Sequence, residues 1–293
     1  RIGGTISPYS LGFFRDRLYV SGYPSSQMVE YDFARPLGLK REPQNPKRLG
    51  PPPSDTHTPL GGTVGGADGR VYNGGTTVGR RRVGGGLGWY DTATGKLGGM
   101  PLEDHRVFWM TSAADARYIV LSTKCEGQGQ LLVWDTQAHR FRHRIDPPCG
   151  ATRPGPIVEA LPGLVMGHTV DAEDTPLLYG FDPSTGEILW TKSVPSPPVT
   201  AFSLVRRHAY SFRRGPQGFV WSFFDNSLVR IDPRDAHVEV IGRLPGGVRP
   251  AQLAFAHGKL FFAGGSHIRQ IKLPEALQLL SGSKHGGRAD SLQ

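Results

Sequence analysis

The chain has 293 residues, with 34 Lys+Arg against 25 Asp+Glu for a formal net charge of +9, 40 glycines, 25 prolines and two cysteines. Two cysteines permit one disulfide and exclude a Cys-rich zinc site, and no apolar run reaches the length of a membrane-spanning helix. The sequence shows no basic–aromatic stacking repeat, zinc-finger spacing or RNA-binding signature, so neither nucleic acid nor membrane is expected as a partner.

In chain order the apolar segments fall into six similar units. The first holds "YSLGFF" (9–14), "DRLYVSG" (16–22) and "MVEYDFARPLG" around Asp32. The second holds "LGGTVGG" (60–66), "GRVYNGG" (69–75) and "GWYDTATGKLGGM" around Asp91. The third runs "VFWMTSA" (107–113), "ARYIVLST" (116–123) and "LLVWDTQAHRFRHRI" around Asp135. The fourth runs "PIVEAL" (156–161), "GLVMGHT" (163–169) and "LLYGFDPSTGEILW" (177–190) around Asp182. In the fifth, "HAYSF" (208–212) and "GFVWSFF" (218–224) precede "SLVRIDPRDAHVEVI" around Asp232. The sixth has "AQLAFA" (251–256), "GKLFFAGG" (258–265) and "HIRQIKLPEAL", where Lys272 replaces the aspartate.

The aspartate turns carry the hairpin chemistry. Asp and Thr side chains bond nearby backbone, Pro presets its own φ, and Gly accepts positive φ. Successive anchors are 59, 44, 47, 50 and 40 residues apart. Four strands per unit with almost no helical periodicity describe an all-β chain, a β-propeller of six or seven four-stranded antiparallel blades. Residues 1–280 form this domain, and the polar segment 281–293 is expected to be a mobile tail. The last unit lacks an outer strand because "PEALQLL" reads as a short helix. Residues 1–7, "RIGGTIS", are one candidate for that strand; a seventh blade encoded upstream is the alternative. A chain opening on Arg1 reads as processed, or as part of a longer protein with further domains.

"GFDPSTGEILW" resembles the docking motif of quinoprotein-alcohol-dehydrogenase-like propellers, Ala-x-Asp-x-x-Thr-Gly-x-x-x-Trp. Asp182, Thr185, Gly186 and Trp190 match, and Gly180 stands where the family has alanine. The match is partial at Asp91 and weak at Asp135 and Asp232, and the repeats are also similar to the YVTN type. The resemblance implies that Trp190 packs between blades while the Asp and Thr tie down the turn. It implies a structural role for these residues and brings no dehydrogenase chemistry with it.

Connections in such a fold alternate between two ends of each sheet. The first-to-second and third-to-fourth strand turns are short here. The long connections are 34–59, 76–86, 101–106, 124–130, 145–155, 168–176 and 194–207, and all are assigned to the opposite, elaborate end. Loops gathered on one side of a rigid scaffold mark a binding face. These loops carry Lys47, Arg48, Arg80, Arg81, Arg82, Lys124, Arg153, Arg206, Arg207 and Arg249, against Glu103, Asp104, Glu126, Asp171, Glu173 and Asp174. A cationic mouth attracts anions: uronic-acid glycans, phosphorylated compounds or an acidic protein surface.

The inner strands start at that end, so Tyr9, His57, Glu159 and Gln252 are expected at the channel. His57, His105 and His168 sit in or beside loops of different blades. Together with Tyr9 they are the candidates for acid–base catalysis, or for holding a metal, if they converge; three unrelated surface histidines is the alternative. His139 and His143 are about 13 Å apart along a regular strand and cannot share an ion. "VGGGLGW" leads into a strand and lacks the helix N-terminus that a phosphate cradle uses. Cys125 and Cys149 belong to one blade and one face. A bridge between them would imply an oxidising compartment, and two thiols that never meet is the alternative.

Three functions remain on the sequence alone. The first is a non-catalytic binding or scaffold domain of a secreted or periplasmic protein, with no cofactor. The second is a polysaccharide lyase-like enzyme that eliminates across an anionic glycan at the same face. The third, a quinone-dependent dehydrogenase-like protein, fits least, because Cys125 and Cys149 are not adjacent as that family's vicinal disulfide requires.

Overall fold

The computed structural model describes residues 7–38, 44–77, 84–125, 129–151, 153–170, 175–194, 212–224, 227–244, 250–264, 267–274 and 277. Among these residues the chain is all β. Sheet one joins β1 (Ser7–Phe14), β2 (Arg17–Tyr23), β3 (Gln27–Asp32) and β4 (Lys47–Gly50). Sheet two joins β5 (Thr58–Gly65), β6 (Arg70–Thr76), β7 (Gly85–Asp91) and β8 (Leu97–Leu102). Sheet three joins β9 (Arg106–Ala113), β10 (Tyr118–Lys124), β11 (Gly129–Asp135) and β12 (Arg140–Ile145). Sheet four joins β13 (Arg153–Leu161), β14 (Leu164–Val170), β15 (Pro176–Phe181) and β16 (Ile188–Ser193). Sheet five joins β17 (Arg213–Arg214), β18 (Val220–Phe224), β19 (Ser227–Ile231) and β20 (Val238–Arg243). Sheet six has three strands among the described residues, β21 (Pro250–Ala256), β22 (Lys259–Gly264) and β23 (His267–Lys272).

Every neighbouring pair within a sheet is antiparallel, so each sheet is a meander in chain order. The first strands pack side by side from sheet to sheet: β1 on β5, β5 on β9, β9 on β13 and β13 on β17. The sheets therefore follow one another as blades around a hub, in the propeller arrangement.

The core is a series of seams between blades. Met110, Ile119, Leu121, Leu132 and Trp134 face sheet two's Tyr72 and Leu87. The alternate residues Tyr118, Val120, Leu131 and Val133 face sheet four's Val165, Tyr179 and Phe181. A strand covered on both faces has no polar side to show, which is why β10 is buried from Tyr118 to Thr123.

Three expectations need correction or fall outside the description. The segment 34–59 is not one elaborate-end loop, because β4 interrupts it and leaves 33–46 as a third-to-fourth strand connection at the plain end. Asn45 closes that connection: its Oδ1 accepts from Asp32 N at 3.0 Å, and its Nδ2 donates to the carbonyls of Asp32 and Arg35 at 2.8 and 2.9 Å. Lys47 and Arg48 consequently lie in a strand. The proposed inner strand 208–212 falls outside the described residues except for Phe212, and sheet five's first described strand is Arg213–Arg214. Of the N-terminal latch 1–7 only Ser7, which opens β1, is described, and the tail 281–293 lies outside the described residues.

Candidate functional site

At the elaborate end, residues 51–57 pass from β4 of the first blade to β5 of the second. This strap lies against glycines of the second blade. A Cβ on Gly88 would come within 2.5 Å of Pro52 Cγ and 2.6 Å of Asn73 Oδ1, and one on Gly99 within 2.8 Å of Ser54 Cβ. Gly86, Gly88 and Gly99 thus clear a floor that lets two backbones approach. Beneath it a buried hydroxyl–amide chain crosses the seam: Ser10 Oγ meets Thr63 Oγ1 at 2.6 Å, Thr63 donates to Ser21 Oγ at 3.2 Å, and Asn73 Nδ2 donates to the same oxygen at 3.1 Å.

The strap ends at His57. Its N–H donates to Thr76 O at 2.8 Å, and its carbonyl accepts from Ser26 N at 3.1 Å, so its backbone bridges two blades. Its ring sits edge-on to Tyr23 with centroids 4.6 Å apart, and Tyr23 in turn lies 6.4 Å from Tyr9. Tyr9, Tyr23 and His57 form one aromatic row, with Tyr9 44 % and Tyr23 42 % exposed. The loop bearing Arg80, Arg81 and Arg82 springs from the strand that His57 touches. Its described ends are closed by Thr77, whose N–H and hydroxyl both donate to Gly84 O at 3.0 and 3.2 Å. The three arginines themselves, like Arg206, Arg207 and Arg249, lie outside the described residues.

The remaining histidines occupy other seams. His105 is buried, with Nδ1 3.0 Å from Thr123 Oγ1 and 3.0 Å from Cys125 Sγ. Thr123 donates its hydroxyl proton to Gln130 O at 2.9 Å, so Nδ1 carries the proton and is the donor toward Thr123. Burial lowers the His105 pKa, and Arg144 lowers it further against Asp104. Burial likewise raises the Cys125 thiol. The pair is held neutral, which favours neither a thiolate nor an imidazolium. His168 is buried in the fourth blade, its ring 5.6 Å from that of Phe224 in the fifth.

Glu159 does not point an idle carboxylate into a channel. Its Oε1 accepts from Ala114 N at 2.7 Å and Gly163 N at 3.1 Å, tying the turns of two blades. Gln252 is exposed at a bulge in β21, with φ of 56°. Cys125 and Cys149 are separate free thiols, the first against His105 and the second exposed on a short 3-10 turn at Pro148–Gly150.

The aspartate anchors share one geometry. The Oδ1 atoms of Asp32, Asp91, Asp135, Asp182 and Asp232 each accept the N–H two residues on, at 2.7 to 3.0 Å. Four residues after the last four of these anchors the backbone is left-handed, at Gly95, His139, Gly186 and Ala236 (φ 70°, 51°, 80° and 57°). Thr185 Oγ1 accepts from Glu187 N at 3.2 Å. Trp190 packs on the cluster joining the fourth and fifth blades, and its indole lies over Gly180, its cross-strand partner. That explains the glycine: an alanine methyl would collide with the ring.

One feature of the plain end had no signal in the sequence. Two adjoining cavities of about 440 and 390 Å³ open beside the first blade and share Arg17, Glu30 and Lys47. Arg17 Nη1 lies 2.9 Å from Glu30 Oε1 and 3.1 Å from Asp32 Oδ2, and Tyr19 donates its hydroxyl to Glu30 Oε2 at 2.9 Å. Glu30 and Asp32 are already answered by protein donors, which makes this an ion-pair seam more than a receptor.

No protein-family model matches the chain, and no curated protein sequence does. Among solved structures it is similar to virginiamycin B lyase from Staphylococcus aureus, with TM-score 0.62 and 13% identity over 91% of this chain and 84% of that one. It is similar to hydrazine synthase from Kuenenia stuttgartiensis, with TM-score 0.63 and 12% identity over 97% and 83%. A chain of the mitotic checkpoint complex gives TM-score 0.58 and 10% identity over 90% and 76%. The fold is a β-propeller. At these identities the likeness speaks for architecture and leaves the chemistry to the propeller's own residues.

Proposed function

We propose that this propeller is a non-catalytic binding or scaffold module whose elaborate end takes an anionic ligand, a uronic-acid glycan foremost. The observation that supports the reading is the Tyr9–Tyr23–His57 row beside the closed base of the Arg80–Arg82 loop. Exposed rings offer a flat apolar platform to the C–H face of a sugar, and arginines pair with its carboxylates through two parallel hydrogen bonds. His105 and His168 are engaged in separate seams, so the row has one histidine at most for proton transfer. The propellers it resembles are named as a lyase, a synthase and part of a checkpoint assembly, so the fold accommodates enzymes and scaffolds alike. Five Asp-capped turns support kinship with the quinoprotein-like and YVTN-like repeats. A secreted or periplasmic setting, where acidic glycans are met, belongs to the same reading, and no cofactor is required.

Titration of the full chain with polygalacturonate tests it. Tyr23→Ala should weaken binding about tenfold, an ordinary effect for an aromatic contact residue. Replacing Arg80, Arg81 and Arg82 by glutamate should abolish it. Equal binding by wild type and both variants overturns the proposal, and release of unsaturated uronides by the wild type replaces it with the lyase reading.

A further inference from the structure

Five of the six first strands are described at their starts, and each of them bulges there. The first strand carries one or two residues more than its partner at Tyr9 in β1, at 59–61 in β5, at Phe108 in β9, at 155–156 in β13 and at Gln252 in β21. All five bulges lie at the elaborate end of the strand nearest the hub, one to a blade. A bulge bends its strand and re-aims a side chain that regular pairing would send into a seam. In β9 the effect is plain, because Val107 and Trp109 would share a face in a regular strand. Here Val107 enters the seam with the second blade and Trp109 packs on the seam with the fourth. Phe108 between them joins neither cluster and stays half-buried, its ring 5.6 Å from that of Trp109. Tyr9 and Gln252 are exposed, and Gln252 holds a left-handed φ of 56°. An L-residue adopts that conformation at a steric cost, and such strain gathers at ligand sites.

We infer, on the basis of the glycan-binding role proposed for this end, that the bulges frame the mouth of the hub as a sugar-contacting ring. Phe108 and Gln252 are then ligand contacts beside Tyr9, which joins the ring to the Tyr9–Tyr23–His57 row. None of the bulged residues is charged. Aromatic rings offer a flat face to the C–H side of a sugar, and a glutamine amide both donates to and accepts from its hydroxyls. Pairing with carboxylates is left to the arginines of the long loops. One sugar of the ligand is therefore seated at the hub by neutral contacts, while its charge is met by the loops. The two contributions differ in their response to salt, because screening weakens charge pairing and leaves stacking largely alone.

Titration of the full chain with polygalacturonate at low and at high salt tests this. Phe108→Leu and Gln252→Ala should each weaken binding about tenfold, as for a contact residue. Both should keep the wild type's salt dependence, because each removes a neutral contact. Phe108→Tyr, which keeps the ring, should bind as the wild type does, and so should Leu189→Ala at an exposed position on the fourth blade. Far-ultraviolet circular dichroism on each variant separates a lost contact from a lost fold. Gln252 is exposed, so its variant tests the ring even where Phe108→Leu misfolds. Wild-type binding that Tyr23→Ala weakens, but Phe108→Leu and Gln252→Ala do not, overturns the ring alone. Absence of wild-type binding overturns the glycan-binding role and the ring with it.

Discussion

The first and third blades are built from the same strand–turn grammar but live in different surroundings. In the third, the first strand β9 has no exposed residue, because blades lie on both sides. In the first, β1 alternates, with Ser10 inward and Leu11 and Phe13 outward. An apolar residue stabilises only where something covers it, so identical letters contribute unequally in the two places. The largest consequence is a pair of truncations. Leu121→Ala in the third blade should cost about 2–5 kcal/mol in a urea melt, the range for a fully buried leucine. Leu11→Ala, at a position 55 % exposed, should stay within about 0.5 kcal/mol. A large loss at Leu11 would mean that its side chain is covered in solution.

That contrast also marks how far the sequence could be followed. Strand order, the aspartate turns and the three strands of the sixth unit among the described residues were all legible, because period-two patterning and turn chemistry are local. Coverage of a face is not local: "YSLGFF" and "VFWMTSA" differ in their neighbours, which neither stretch contains. The 33–46 connection was misplaced for a related reason. Asn45 clamps Asp32 and Arg35 through side-chain bonds spanning 10 to 13 residues, and no periodicity announces such a clamp. Tyr23 was missed at the candidate site because a strand-terminal tyrosine looks like sheet packing until His57 is found against it. Of the candidates, Tyr9 and His57 come together, whereas His105, His168 and Glu159 do not join them.

Asp135 is buried, and burial alone would raise its pKa, but N–H donation from Ala138 and Gln137 outweighs it, with Arg117 and Arg142 assisting, so its pKa is lowered. Asp91 is also lowered, chiefly by N–H donation from Thr94. A carboxylate whose folded pKa lies below its unfolded value of about 3.9 stabilises fully above that value. The contribution is lost as pH falls through the folded pKa. Stability should therefore drop below about pH 4, and Asp135→Asn should flatten that drop while costing about 1.5–3 kcal/mol at neutral pH. An unchanged acid limb in the variant would show that the turn's charge is not what the low-pH unfolding reads.

The smallest effect separates what the turn needs from what its sequence displays. The position four residues after the aspartate is glycine in the second and fourth blades but His139 in the third and Ala236 in the fifth, all left-handed. The fifth turn still closes as the fourth does: Ala236 N donates to Asp232 O at 2.8 Å, as Gly186 N does to Asp182 O at 2.8 Å. The resemblance to the docking motif faded at Asp135 and Asp232 because the letters changed, although the backbone did not. An L-residue in that region carries a steric cost of roughly 1–2 kcal/mol that glycine avoids, offset in part by glycine's freer unfolded chain. Ala236→Gly should accordingly stabilise the protein by up to about 1 kcal/mol in a thermal melt, even though it removes a buried methyl group. A net loss would mean that the methyl's packing in the seam between the fourth and fifth blades outweighs the strain, and that the fifth turn is held by its neighbours more than by its own conformation.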